Sequence, residues 1–266
     1  MITPRKPVVF IHGLWLHSTS WQNWVDLFGE EGYDPIVPEW PGVPDTVAEA
    51  RANPESQAGK GIDDVVNHYA EIIRGLEGKP VVIGHSFGGL FTQRLLGQDL
   101  AAGAVAIDPA PIRGVLVLPP AQLRSAFPGL RNPANRKRTV SLTPKQFRYA
   151  FANAVSERES AELYEAWAIP GPGRPLFEAA FANFSPNSPA KVNTRNSSRG
   201  PLLLISGKQD HTVPDVVTRS TFKQYRHSTA VTDLEQIHNR GHSLTIDSGW
   251  RDVANIALNW LKTRGL

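Results

Sequence analysis

The 266-residue sequence has no cysteine. That excludes disulfides, a cysteine nucleophile and thiolate-bound metal. Metal-ligand spacing of the H-E-x-x-H kind is also missing, so no metal and no cofactor is expected. Long apolar runs are lacking too. No stretch approaches the roughly 18 apolar residues of a membrane span. The N-terminal "MITPRKPVVFIHG" offers only Val8–Ile11 as an apolar run, too short for the core of a signal peptide. A soluble, cytoplasmic protein is the expectation. An excess of one charge is absent as well, since 28 Lys and Arg face 25 Asp and Glu. A nucleic-acid binder carries a basic face or stripe, and no nucleic-acid partner is expected. The one dense basic cluster, Arg131 to Arg138, reads as a solvated loop, with mild attraction of an anionic substrate or surface as the functional alternative. Monomer and dimer both stay open.

What is present is an ordinary globular composition, 41% hydrophobic and 20% charged. The length suits one large domain, or a core with an insertion. Short apolar runs alternate with helical patterns. Strands are expected at Pro7–Ile11, Tyr33–Pro38, Pro80–Gly84, Gly103–Asp108, Pro201–Ser206 and Ser228–Leu234. Between the second and third lies a polar connection, Glu39 to Gly61, and then a helix. Its apolar residues Ile62, Val65, Val66, Tyr69, Ile72, Ile73 and Leu76 repeat at 3.6 residues. Further helices are expected from about Phe87 to Leu96, from Pro214 onward, and at the C-terminus with Trp250, Val253, Ala254, Ala257, Trp260 and Leu261 on one face. From about Pro109 to Arg199 the alternation stops. Short helical patterns there start at Thr143, at Ser156 with Glu159 in capping-box spacing, and at "PLFEAAFANF". Strands alternating with helices imply a parallel sheet covered on both faces, with ligands beyond the carboxyl ends of its strands.

The residues just past the strands therefore carry the chemistry. Gly84-His85-Ser86-Phe87-Gly88 matches G-x-S-x-G at a strand-to-helix turn. Alone, it reads equally as a Gly-rich turn with a capping serine. As a nucleophile elbow, the turn would push the Ser86 hydroxyl out above the sheet, the glycines would let helix pass strand, and the Phe87 N–H would face an oxyanion. Asp210 follows the "LLLIS" strand as a candidate acid. Of two histidines after "STAVTDL", His242 follows Gly241 in a loop read as flexible enough to swing over the sheet end, and is preferred to His238. Asp108, at the end of "AIDPAP", is the reserve acid.

Ser86, Asp210 and His242 come in the chain order of the α/β-hydrolase superfamily, which this sequence resembles in its esterase, lipase and perhydrolase branch. The resemblance covers Val8 to Asp108 and Gly200 to the C-terminal helix. It implies a mostly parallel β-sheet flanked by helices, with 1–108 and 200–266 as the core and 109–199 as a helical cap inserted after the sixth family strand. It implies a Ser86–His242–Asp210 triad, and a second oxyanion donor at the Leu14 N–H, just after His12-Gly13. A serine at position 86 argues against the haloalkane dehalogenases and epoxide hydrolases of this superfamily, which use aspartate there. The expected function is hydrolysis of small to medium, largely apolar carboxylic esters, with a small-molecule ester as the partner. Trp15 and His17 are candidate pocket residues. His12 is read as structural, and His68, His85, His211 and His227 as surface or loop residues. A lactonase, a perhydrolase, a C–C-bond hydrolase or a slow hydrolase-fold receptor would fit the same pattern.

Overall fold

A computed structural model describes residues 5–266; the first four residues of the expected core segment lie outside it. The strands are β1 (Lys6–Ile11), β2 (Tyr33–Ile36), β3 (Val81–His85), β4 (Gly103–Ile107), β5 (Thr139–Val140), β6 (Gly171–Pro172), β7 (Leu202–Gly207) and β8 (Thr232–Ile237). Six of them form one sheet in the order β2-β1-β3-β4-β7-β8, with every neighbouring pair parallel.

The sheet is apolar on both faces because alternate residues point opposite ways. Val9, Ile11, Val82, Ala104, Ala106, Leu202 and Leu204 join one buried cluster. Val8, Phe10, Val81, Ile83, Val105, Ile107, Leu203 and Ile205 join the other. The second cluster is covered by α1 (Gln22–Glu30) and α10 (Trp250–Thr263), through Trp24, Phe28, Val253, Ala257 and Leu261. The first is covered by α3 (Ile62–Arg74), α4 (Phe87–Gly97) and α9 (Asp215–Gln224). Beneath α4 the sheet is built from small residues, Gly84, Ala104 and Ala106, which lets the helix sit close.

Between β4 and β7 lie α5 (Pro120–Leu130), α6 (Pro144–Ala150), α7 (Glu157–Trp167) and α8 (Arg174–Ala180), with β5 and β6 paired antiparallel. Thr143 caps α6 with the reciprocal Gln146 bond. At α7 only half of the expected box forms. Ser156 accepts from the Glu159 N–H, but the Glu159 carboxylate turns away to the Ser248 N–H, 2.6 Å distant.

Several boundaries move. The last strand begins at Thr232 rather than Ser228, because Ser228 closes a turn onto Tyr225 and its hydroxyl accepts the Ala230 N–H. Pro214 stands just outside α9. Helices α1, α5 and the short α2 (Val47–Ala52) were not anticipated; α2 lies within the stretch read as connection, with Thr46 as its N-cap.

Candidate active site

Three residues with positive φ stand at the carboxyl ends of neighbouring strands. Trp15 (φ 70°) follows β1, Ser86 (φ 57°) follows β3 and Asp108 (φ 40°) follows β4. Side chains rarely accept this region, and such strain clusters where a site must be held. At Ser86 the chain reverses from β3 straight into α4. The reversal works only with glycine on either side. A Cβ on Gly84 would lie 2.2 Å from the Gly88 carbonyl oxygen, and one on Gly88 would lie 2.1 Å from the Ile11 oxygen. Gly13 is also tight, though less so, since its Cβ would come 3.0 Å from that of Ser86. The glycine pattern is thus a steric demand of strand, helix and loop meeting at one point.

Asp210 and His242 are brought together. His242 Nδ1 lies 2.5 Å from Asp210 Oδ2, and both side chains are fully buried. The other Asp210 oxygen accepts from the N–H groups of Thr212 (2.6 Å) and Val213 (2.8 Å). Three donors thus converge on one carboxylate and fix its orientation toward the imidazole. The Nε2 of His242 is buried and has no hydrogen-bond partner among the described residues. The hydroxyl of Ser86 is therefore not hydrogen-bonded to it in this structure. The ring of His85, next to Ser86, lies 4.6 Å from the His242 ring.

The His242 loop is clamped, contrary to the expectation of a swinging loop. His85 Nε2 donates to the His242 carbonyl at 2.8 Å. The Ser243 N–H bonds the Phe151 carbonyl, the Ser243 hydroxyl bonds Asp247, and Arg240 pairs with Asp247. Burial holds His85 well below its ordinary pKa, so its ring is a neutral strut rather than a surface residue. His238, the competing histidine, is exposed.

Asp108 is also close, with Oδ2 3.9 Å from His242 Nδ1. Its Oδ1 accepts from the Gly207 N–H at 2.7 Å, and its Oδ2 is buried without a partner. Burial, and then the negative charge of Asp210, push the Asp108 carboxyl well above the usual carboxylate range. Two carboxyls share this corner, and Asp210 is the nearer partner of the imidazole. Together with His85 and His242, Asp108 forms the one cluster of potential metal ligands among the described residues. One ring nitrogen of each histidine is already hydrogen-bonded.

Leu14 and Phe87 both line a cavity of about 320 Å³ that also reaches Ser86. Their backbone N–H groups have no hydrogen-bond partner among the described residues. Trp15 lines the same cavity and is anchored by its indole N–H on the Val140 carbonyl. His17 does not line it, which corrects the pocket role expected for it. It is fully buried between Thr19, the Pro44 carbonyl and Glu39. Glu39 also meets His12, at 3.3 Å, and His12 stacks on Trp40. These contacts fasten the loop after β1 from behind.

Phe151 follows α6 and belongs to no sequence motif. Its ring stands edge-on to His242 at 4.9 Å and also lines the cavity. No spacing signal in the sequence distinguishes it from its neighbours. Apart from Ser86, the cavity's polar lining is Gln122, Ser125, Asn183 and Thr212; no charged side chain lines it.

Solved structures of the same fold include a monoacylglycerol lipase from Paleococcus ferrophilus (20% identity, 97% of this chain and 94% of that one, TM-score 0.67). They also include a thermophilic esterase from Thermogutta terrifontis (17%, 97% and 90%, TM-score 0.67). A third is an extracellular α/β-hydrolase from a Paenibacillus species (21%, 96% and 98%, TM-score 0.67). At these identities the likeness is one of fold. No curated protein sequence matches the chain. The sequence model of the alpha/beta hydrolase family, however, matches residues 8–256, and the six-stranded parallel sheet places its carboxyl strand ends where such a match requires them: this chain is a member of the alpha/beta hydrolase family.

Proposed function

We propose that the protein is a serine hydrolase that cleaves carboxylic esters of small to medium, apolar substrates through an acyl-enzyme. The observation that carries this is the buried 2.5 Å contact of Asp210 with His242, whose far nitrogen is left unpartnered and whose ring packs on Phe151, a wall of the uncharged cavity that reaches Ser86.

The chemistry follows from the atoms available. The Ser86 hydroxyl attacks the ester carbonyl, and its proton passes to His242 Nε2. Asp210 holds the imidazole with Nδ1 protonated and offsets the charge of the imidazolium. The negative oxygen that develops is met by the free N–H groups of Leu14 and Phe87; one such donor is worth about 3–4 kcal/mol in the transition state. Phe87 also opens α4, whose N-terminus favours negative charge. The imidazolium gives its proton to the departing alcohol. Water, activated by the same imidazole, then releases the acid.

Residues 109–199 act in this reading as a cap on the core, supplying Phe151 and most of the cavity wall. Apolar walls with a few polar groups suit an apolar acyl or alcohol group.

Labelling by a fluorophosphonate probe, with turnover of p-nitrophenyl esters from two to twelve carbons, tests the reading. Wild-type protein is expected to label and to turn over, and Ser86→Ala to lose both. Labelling that survives Ser86→Ala would overturn it.

A further inference from the structure

Eight large hydrophobic residues are exposed among the described residues, and seven of them fall between positions 116 and 184. Leu116 (80% exposed), Leu118 (61%), Leu123 (47%) and Phe184 (84%) form the mouth of the cavity that reaches Ser86. Phe127 (61%) lies one helical turn beyond Leu123 on α5, and Phe181 (59%) has its ring 6.2 Å from that of Phe184. The apolar cavity therefore continues outward as an apolar rim. Scattered surface hydrophobics are ordinary, but a contiguous set around one opening is not.

The stretch that carries α5 and its flanks has charge of one sign. From residue 109 to residue 156 the sequence has eight Lys and Arg and no Asp or Glu. The densest part follows α5 directly. Arg131, Arg136, Lys137 and Arg138 are exposed, and none lies within 4.0 Å of a carboxylate among the described residues. Aromatic and leucine side chains flanked by unpaired bases are the composition that beds into the headgroup region of an anionic bilayer.

We propose that this rim is a docking surface for an anionic lipid surface. Leu116, Phe127, Phe181 and Phe184 enter the headgroup region, and the bases after α5 face the lipid phosphates. The cavity mouth then opens onto the lipid, and an apolar ester can pass to Ser86 without crossing water. The docking goes beyond the ester-hydrolase reading, and only its consequence for substrate delivery rests on that reading.

Flotation of the full-length protein with vesicles separates the two. Wild-type protein and Ser86→Ala are both expected to float with phosphatidylcholine–phosphatidylglycerol vesicles and to bind pure phosphatidylcholine at least about tenfold more weakly. Phe127→Ser/Phe181→Ser is expected to lose binding to both. Arg131→Gln/Arg136→Gln/Lys137→Gln is expected to lose the preference for the anionic vesicles and its salt dependence. Both variants avoid the cavity lining and should hydrolyse a soluble short-chain ester within about twofold of wild type, which reports that they fold. Absence of wild-type flotation, or flotation unchanged in Phe127→Ser/Phe181→Ser, overturns the proposal. So does a dimer in light scattering that Phe127→Ser/Phe181→Ser converts to monomer, because the face would then be covered by a second copy of the chain.

Discussion

The carboxyl edge of the sheet and the segment from 109 to 199 meet at the cavity, yet they are built on opposite principles. At the sheet edge, Gly84 and Gly88 leave no room for a methyl group, and Asp210 is fully hydrogen-bonded. Across the cavity, the segment presents apolar side chains, several of them facing solvent. In the proposed reaction the edge would orient bonds to be made and broken, which needs directional contacts held within fractions of an ångström. The segment would sort molecules by apolar contact, which is non-directional and tolerates irregular helices.

The comparison can be broken most severely at Asp210. Asp210→Asn keeps the shape but holds the imidazole in the wrong tautomer, and kcat for a soluble ester should fall by about 10⁴. A loss below tenfold would mean that Asp108 carries the role. Next comes Gly88→Ala, whose methyl would meet the Ile11 carbonyl. It should destabilise the fold by about 1–3 kcal/mol or more in urea unfolding. Gly29→Ala on α1, with nothing within 4 Å of the added methyl, should instead gain up to about 1 kcal/mol.

Asp108→Asn should act more gently. An amide reproduces the neutral carboxyl, so kcat should stay within about tenfold of wild type. Its signature lies in pH. The folded-state carboxyl titrates above its unfolded value, because burial and Asp210 oppose its charge. The stability it contributes is complete below about pH 4 and is lost as pH rises toward the folded value. Thermal melts from pH 5 to 9 should therefore show the variant gaining on wild type as pH rises. The smallest effect belongs to the rim. Leu118→Ser should raise KM for ten- and twelve-carbon esters a few-fold and leave two-carbon esters unchanged, as one lost apolar contact is worth about 1–3 kcal/mol at most.

The centre of the sheet was legible from the sequence because β1, β3, β4 and β7 are short apolar runs buried on both faces. Ser86, Asp210 and His242 were legible because each stands just past such a run. His17 was misplaced in the pocket because it lies two residues from Trp15, whose backbone turns away with positive φ. The clamp on His242 was not legible, since two of its partners, His85 and Phe151, come from distant parts of the chain and the nearby Asp247 carries no motif. Helix α5 was missed because Pro120 and Pro128 mask its pattern, and its apolar face is turned partly to solvent.

The sequence by itself determined the parallel sheet, the order of the strand-end residues and the glycines around Ser86, because these depend on local spacing and on backbone sterics. Only the tertiary structure gives the contacts that favour Asp210 over Asp108 as the partner of His242. Both follow strands, and both come within 3.9 Å of the same imidazole nitrogen. The choice turns on which carboxyl receives two N–H groups as well as the imidazole, and which is left to burial and a neighbouring negative charge.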